Sequence, residues 1–216
     1  CFSCFRYRLH RSDEHFCKEL CKKLSVKIYC GSDDVPSYAR INKLSIEAAA
    51  RECRYAFFER MLSKTSVDFC ATAHNMNDDA ETLLLNLIRG SGSNGASSIS
   101  PYGDNIIRPF LKIKRDIIES FLFEIGQEYV TDSTNLSTEY TRNYLRQNII
   151  PELEKINPSV VEAFSRFSDS CREDRLYFED KVEEYFNSDL RNVPKAIRTR
   201  IFLRKYKEFS GNILNS

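Results

Sequence analysis

Thr72-Ala-His-Asn-Met-Asn-Asp-Asp-Ala-Glu-Thr-Leu-Leu-Leu-Asn-Leu-Ile-Arg-Gly-Ser-Gly92 is the stretch whose reading decides the fold. The run Val67-Asp-Phe-Cys-Ala-Thr-Ala73 reads as a buried strand. Leu83, Leu84, Leu85, Leu87 and Ile88 then give a mainly apolar helix that Gly90 ends. His74, Asn75, Asn77, Asp78, Asp79, Glu81 and Thr82 are thereby set at the end of a strand and the start of a helix. In open α/β sheets ligands bind at that place. A helix N-terminus also offers N–H groups and a positive dipole end to a phosphate.

Working outward, the rest of the first half repeats this unit. Phe16, Leu20 and Leu24 space a helix over 13–24, and Val26-Lys-Ile-Tyr-Cys30 reads as a strand. Ser45 is placed to cap a helix running to about Ser63, with Ala49, Cys53, Phe57 and Met61 on one face. Residues 90–105 read as a Gly/Ser-rich loop and Asn105-Ile-Ile-Arg108 as a short strand. Ile113, Ile117, Phe121, Leu122 and Ile125 mark a helix stopped by Gly126, and Tyr129-Val130 is expected as a last strand. Helices alternating with strands predict a Rossmann-like α/β domain with a parallel sheet to residue 131. Residues 132–150 read as a connector. From 151 to 216 no strand is expected, and Val160, Phe164, Phe167, Cys171, Phe178, Val182 and Tyr185 give a long amphipathic helix in a smaller all-helical domain.

Composition narrows the classes. The 216 residues carry a net charge of +1, so global charge does not select a nucleic-acid partner. No apolar run reaches the roughly 18 residues of a membrane span, and no signal peptide is visible, which predicts a cytoplasmic chain without membrane association. Cys53, Cys70 and Cys171 fall in apolar patterns and read as free buried thiols. Cys1-x-x-Cys4 lacks the second Cys-x-x-Cys of a strong zinc signature.

Three further segments carry chemistry. Asp78, Glu81 and Thr82 share a helix face, and a carboxylate there suits Mg²⁺ beside a phosphate. Arg89-Gly-Ser-Gly-Ser-Asn-Gly95 offers an Arg and flexible N–H groups to cradle a phosphate, and Ile107-Arg108-Pro109 sets an Arg at a strand end. Asp132-Ser-Thr-Asn135 leads to Tyr140-Thr-Arg-Asn-Tyr-Leu-Arg146, where Arg142 and Arg146 share a helix face. Two such cations need an anion between them, either a phosphate or a buried carboxylate. Leu190 to Lys207 holds seven cations and no acid, a local density suited to an RNA backbone or to a solvated helix.

Together these segments, with Leu44 to Phe58 and Ile107-Arg-Pro-Phe-Leu111, resemble the tRNA(Ile)-lysidine synthetase family of the PP-loop (N-type ATP pyrophosphatase) superfamily, in family order over about 12–158. The resemblance implies a ligase. ATP adenylates C2 of the wobble cytidine of an isoleucine tRNA with a CAU anticodon, and free lysine then displaces AMP. It implies Mg²⁺ at Asp78, nucleotide contacts from His74, Asn75, Glu81, Thr82, Arg89, Gly90 and Gly92, and catalytic roles for Asp78, Arg142 and Arg11. It implies tRNA contacts from Arg108, Asn143 and Arg146, and from Arg198 and Arg204 in the helical region. The family's Ser-Gly-Gly-x-Asp-Ser run is not in the chain, and Tyr7-Arg-Leu-His-Arg11 matches the family's His-Gly-Leu-Arg segment only at Arg11. The expectation is a fragment, or a chain with a disrupted start. The alternatives are a tRNA thiolase of the same superfamily, against which no Cys lies between Cys70 and Cys171, and a non-catalytic RNA-binding remnant.

Overall fold

The computed structural model describes residues 2–6, 11–130 and 141–210, with 2–6 and 11–13 as backbone only. The expected Asp132-Ser-Thr-Asn135 turn, Tyr7 to His10 and the side chain of Arg11 lie outside the described residues. The chain divides into two compact units, 1–72 with 103–107 and 121–135, and 73–102 with 108–120 and 136–216. The helix of the opening motif groups with the C-terminal helices.

In the first unit, β1 (Phe2–Arg6) pairs in parallel with β2 (Ile28–Ser32), with α1 (Arg11–Lys23) between them in the chain. α2 (Val35–Asn42) starts at Asp34, whose carboxylate accepts from the Ser37 N–H, and Pro36 occupies its first turn. α3 (Ile46–Lys64) starts at Ser45, whose hydroxyl accepts from the Ala48 N–H, as its position before the periodic run predicts. Val35, Ala39, Ala49, Ala50 and Cys53 form the core between these two helices. β3 (Cys70–Ala71) pairs in parallel with β5 (Ile106–Ile107) in a three-stranded sheet of order β3-β5-β4, where β4 is Tyr102–Gly103.

The parallel pairing and flanking helices are those of the expected α/β class. The sheet itself differs. Among the described residues β2 and β3 do not pair, so two small sheets replace one. β3 is short because Val67 and Phe69 stay in water instead of entering a ladder. Tyr129 and Val130 form no strand; both side chains are exposed, with no described strand beside them. β1 was not expected. α6 (Arg115–Glu124) ends as predicted, with Gly126 at φ +63°, a left-handed position that glycine takes without steric cost.

In the second unit, α4 (Met76–Ile88) leads into the short α5 (Ser93–Ala96), where a loop was expected. α7 (Thr141–Tyr144) continues through a π-helical turn (Leu145–Ile149) into α8 (Ile150–Ile156). Pro151 has no N–H for the Gln147 carbonyl, and the Ile150 N–H reaches back five residues to Leu145, which widens the turn. α9 (Val160–Tyr185) is the predicted long helix, and α10 (Lys195–Ser210) covers the basic segment. Ala80 of α4 packs with Ile150, Val160 and Val161, and Leu83 with Ala96 and Cys171. Phe167, expected on the buried stripe, is exposed. Among the described residues no helix is long and apolar enough to cross a membrane.

Candidate functional site

α4 begins at Asn75, which is buried. Its side-chain oxygen accepts from the N–H groups of Asn77 (3.0 Å) and Asp78 (3.1 Å), while Asp78 Oδ2 accepts from the Asn75 N–H (3.0 Å). This reciprocal capping box follows directly from Asn and Asp spaced three apart. The Met76 N–H donates to the Ile113 carbonyl and the Asp79 N–H to the Asn75 carbonyl. All four donors of the first turn are thus taken within the fold. The helix end expected to receive a phosphate by its N–H groups does not present them.

One turn on, Glu81 carries the centre of the cluster. Its side chain is 1% exposed and accepts from Arg146 Nε (2.6 Å) and Nη2 (2.9 Å). Arg142 Nε lies 3.2 Å from the second carboxylate oxygen, and Arg142 Nη2 donates to the Thr82 hydroxyl at 2.5 Å. Thr82 donates in turn to the Asp78 carbonyl, and Asp78 Oδ1 lies 3.4 Å from Arg146. The anion required between Arg142 and Arg146 is therefore a buried carboxylate. Hydrogen bonding to Glu81, with the Glu81 and Asp78 charges behind it, holds the Arg146 guanidinium above its ordinary pKa, against the cost of its burial.

The structure brings Asn75, Asp78, Glu81, Thr82, Arg142 and Arg146 together, with Asn143 buried on the same helical turn. His74 is half-buried one residue before the cap. Arg89 is exposed at the other end of α4, eleven residues or about 16 Å along the axis from Asp78, with Gly90 and Gly92 beyond it. Arg108 donates to the Ser100 carbonyl (2.8 Å). Mg²⁺ does not fit at Asp78 as folded. One carboxylate oxygen caps the helix and the other faces a guanidinium, which leaves no free oxygen for a dication.

A second buried network was not anticipated. Asp79 Oδ1 accepts from the Ile99 N–H (2.9 Å), and the Ser98 hydroxyl donates to the Asp79 carbonyl (2.9 Å). From the other side, Arg172 of α9 donates to the carbonyls of Ser97 (3.0 Å) and Ile99 (2.8 Å) and is held by Asp169 (2.5 Å), which also binds Lys112 (2.5 Å). These contacts fix the segment after α5, where Ser98 has φ +50°. Asp79 Oδ2 has no hydrogen-bond partner among the described residues, and burial pushes the Asp79 carboxyl above its ordinary value. The signal was present in the sequence as a second acid beside Asp78 and an Arg on the buried side of α9.

The cations of the last segment divide. Arg204 is paired with Glu183 and with Glu208 (3.3 Å), and Arg191 with Asp189 (2.6 Å). Arg198 has no ion-pair partner among the described residues. A groove of about 560 Å³ between α9 and α10 is lined by Arg175, Phe178, Glu179, Glu183, Arg200 and Arg204, among others.

Comparison with known proteins gives these geometries a context. A family model described as a PP-loop domain matches residues 8–153. A tRNA(Ile)-lysidine synthase of Bacteroides thetaiotaomicron is 40% identical over 80% of the chain, which covers 40% of that protein. One from Thermosipho africanus is 41% identical over 93% of the chain and 48% of that protein, and one from Clostridium tetani is 33% identical over 98% and 49%. The chain thus spans less than half the length of these curated relatives. Among solved structures, a U34-tRNA thiolase from Methanococcus maripaludis superposes with a TM-score of 0.60 at 17% identity, covering 77% of this chain and 61% of that one; this likeness bears on fold alone. The match of the family model over most of the chain supplies the conclusion: the chain belongs to the PP-loop domain family.

Proposed function

We propose that the chain is the part of a tRNA(Ile)-lysidine synthetase in which ATP adenylates the wobble cytidine of an isoleucine tRNA with a CAU anticodon before free lysine displaces AMP. The observation that carries this reading is the identity to synthases of that name, 33–41% over 80–98% of the chain. The absence of any Cys between Cys70 and Cys171 argues against sulfur transfer.

The geometry supports a division of labour between the two arginines. The cluster's two guanidiniums and two carboxylates balance, so a phosphate must take one arginine from Glu81. Arg146 is held by two short hydrogen bonds, whereas Arg142 has one contact at 3.2 Å to the carboxylate and is 31% exposed. Arg142 is the one that a phosphate can recruit, and its charge then stabilises the transferring adenylyl group. Arg146 and Glu81 hold Arg142 in place, and Asp78 anchors the start of α4. His74, Arg89, Gly90 and Gly92 are assigned to the nucleotide, Arg11 to catalysis, and Arg108, Asn143 and Arg198 to the tRNA. Residues 1–131 carry nucleotide binding, 132–150 connect, and 151–216 contact tRNA.

The test is nucleoside analysis. The tRNA is incubated with the complete enzyme that carries this chain, ATP and lysine, digested, and its nucleosides are separated by mass. The expected product is the wobble cytidine condensed with lysine, formed only when ATP, lysine and the CAU anticodon are all present. Unmodified cytidine, or a thiolated base when a sulfur donor is supplied, contradicts the proposal.

A further inference from the structure

α10 has two unlike sides. Buried Ile197 and Ile201 face α9, as do Arg204, bound by Glu183, and Arg200, which lies 4.0 Å from the centre of the Phe178 ring. At 3.6 residues per turn the opposite side carries Lys195, Arg198, Phe202, Tyr206 and Phe209. Phe202 is 57%, Tyr206 46% and Phe209 92% exposed. These three rings fall at i, i+4 and i+7, so they form one row over about 10 Å of helix. The one acid of α10, Glu208, lies against Arg204 and away from this row. A row of exposed aromatic rings edged by cations and free of its own helix's acids matches the requirements of a single nucleic-acid strand. Rings stack on base faces, and cations meet phosphates.

We propose that this face of α10 is a stacking platform for unpaired bases of an RNA strand. Phe202, Tyr206 and Phe209 take the bases, and Lys195 and Arg198 take the phosphates. The proposal rests on the tRNA reading only for the choice of RNA, and it specifies that the strand is read where it is unpaired. A duplex hides its base faces and offers the rings nothing to stack on. A second copy of the chain would bring Lys195 and Arg198 against their like, and the core of a protein–protein interface is depleted in Lys.

The test is fluorescence anisotropy of the whole chain with a labelled single-stranded RNA of about ten nucleotides and with a duplex of equal length, over a range of salt. The single strand is expected to bind more tightly. Phe202→Ala and Tyr206→Ala should each weaken it about five- to a hundredfold, with no change in the slope of log affinity against log salt, and Tyr206→Phe should retain it. Arg198→Ala should lower the slope by about 0.7. Phe202 and Tyr206 are exposed and Arg198 is half-buried without an ion-pair partner among the described residues, so their replacement leaves the core intact, which circular dichroism checks. Ring variants that bind single strands normally overturn the proposal, as does equal loss of duplex binding. Sedimentation showing a dimer that Phe202→Ala dissolves assigns the face to a second copy and overturns it too. No step needs ATP or lysine, so a failure of lysidine formation and a failure of this platform are read separately.

Discussion

Replacing Glu81 by Gln tests whether the cluster is held by charge or by packing. The two side chains have nearly the same volume, so no cavity opens. What changes is the charge of a carboxylate that accepts from Arg146 at 2.6 and 2.9 Å and lies 3.2 Å from Arg142 Nε, in a side chain 1% exposed. Removing one partner of a buried ion pair costs about 3–5 kcal/mol, because the remaining charge is stranded. Here Arg146 and Arg142 are 23% and 31% exposed and Arg146 keeps Asp78 at 3.4 Å, so part of their hydration returns and the lower limit applies. A loss of about 3 kcal/mol corresponds to roughly a hundredfold change in the opening equilibrium. With two compact units a single unfolding free energy is ill-defined, so the assay is amide hydrogen exchange read by mass spectrometry, segment by segment. Exchange should rise about a hundredfold in the first turn of α4 and over 141–149, with α2 and α3 unchanged. A rise below about threefold, or an equal rise in α2 and α3, refutes the reasoning.

Three other expectations follow from single contacts. Burial raises the Asp79 carboxyl above 3.8, so the folded chain binds more protons than the unfolded one just above that pH; stability should fall as pH rises through the raised value, and Asp79→Asn should abolish that dependence in urea titrations. In Gly31→Ala the new Cβ would sit 2.5 Å from Cε2 of Phe57, which is 3% exposed and cannot swing away; the first unit should lose about 1–3 kcal/mol by denaturant melting, and Phe57→Leu in the same chain should recover part of it. Asn75→Ala removes the acceptor of two backbone N–H groups at the start of α4 and should cost about 0.5–2 kcal/mol, with Asn75→Ser milder; equal stability of all three would show that the cap is dispensable.

Long periodic helices were legible from the chain alone. Ser45 before an apolar period gives α3, and the stripe from Val160 to Tyr185 gives α9, because burying one face dominates the energetics of such helices. The start of α4 at Asn75 was legible as the turn from strand to helix, and the pairing of Arg142 with Arg146 as a demand for an anion. The identity of that anion was not, because Glu81 lies 65 residues from Arg146 and only tertiary folding joins them. Strands of two residues, such as β3 and β5, carry too little pattern to be bounded. α2 was missed although Asp34, Pro36 and Ser37 are a helix start, because its eight residues complete only two turns. The π-helical turn depends on one missing N–H at Pro151, which periodicity does not register.

The central claim is that the Glu81 cluster is where adenylation occurs and that Arg142 faces the reacting phosphate. Arg142→Ala is its most direct probe, since Arg146 keeps both of its bonds to Glu81 and the fold persists. Affinity for the CAU-anticodon tRNA and the rate of lysidine formation should be measured on the same preparation of the complete enzyme that carries this chain. The account predicts unchanged affinity and a rate lower by about 10²–10³, the loss expected when one charge-stabilising donor is removed. Lost tRNA binding with normal modification of whatever tRNA is bound would contradict it.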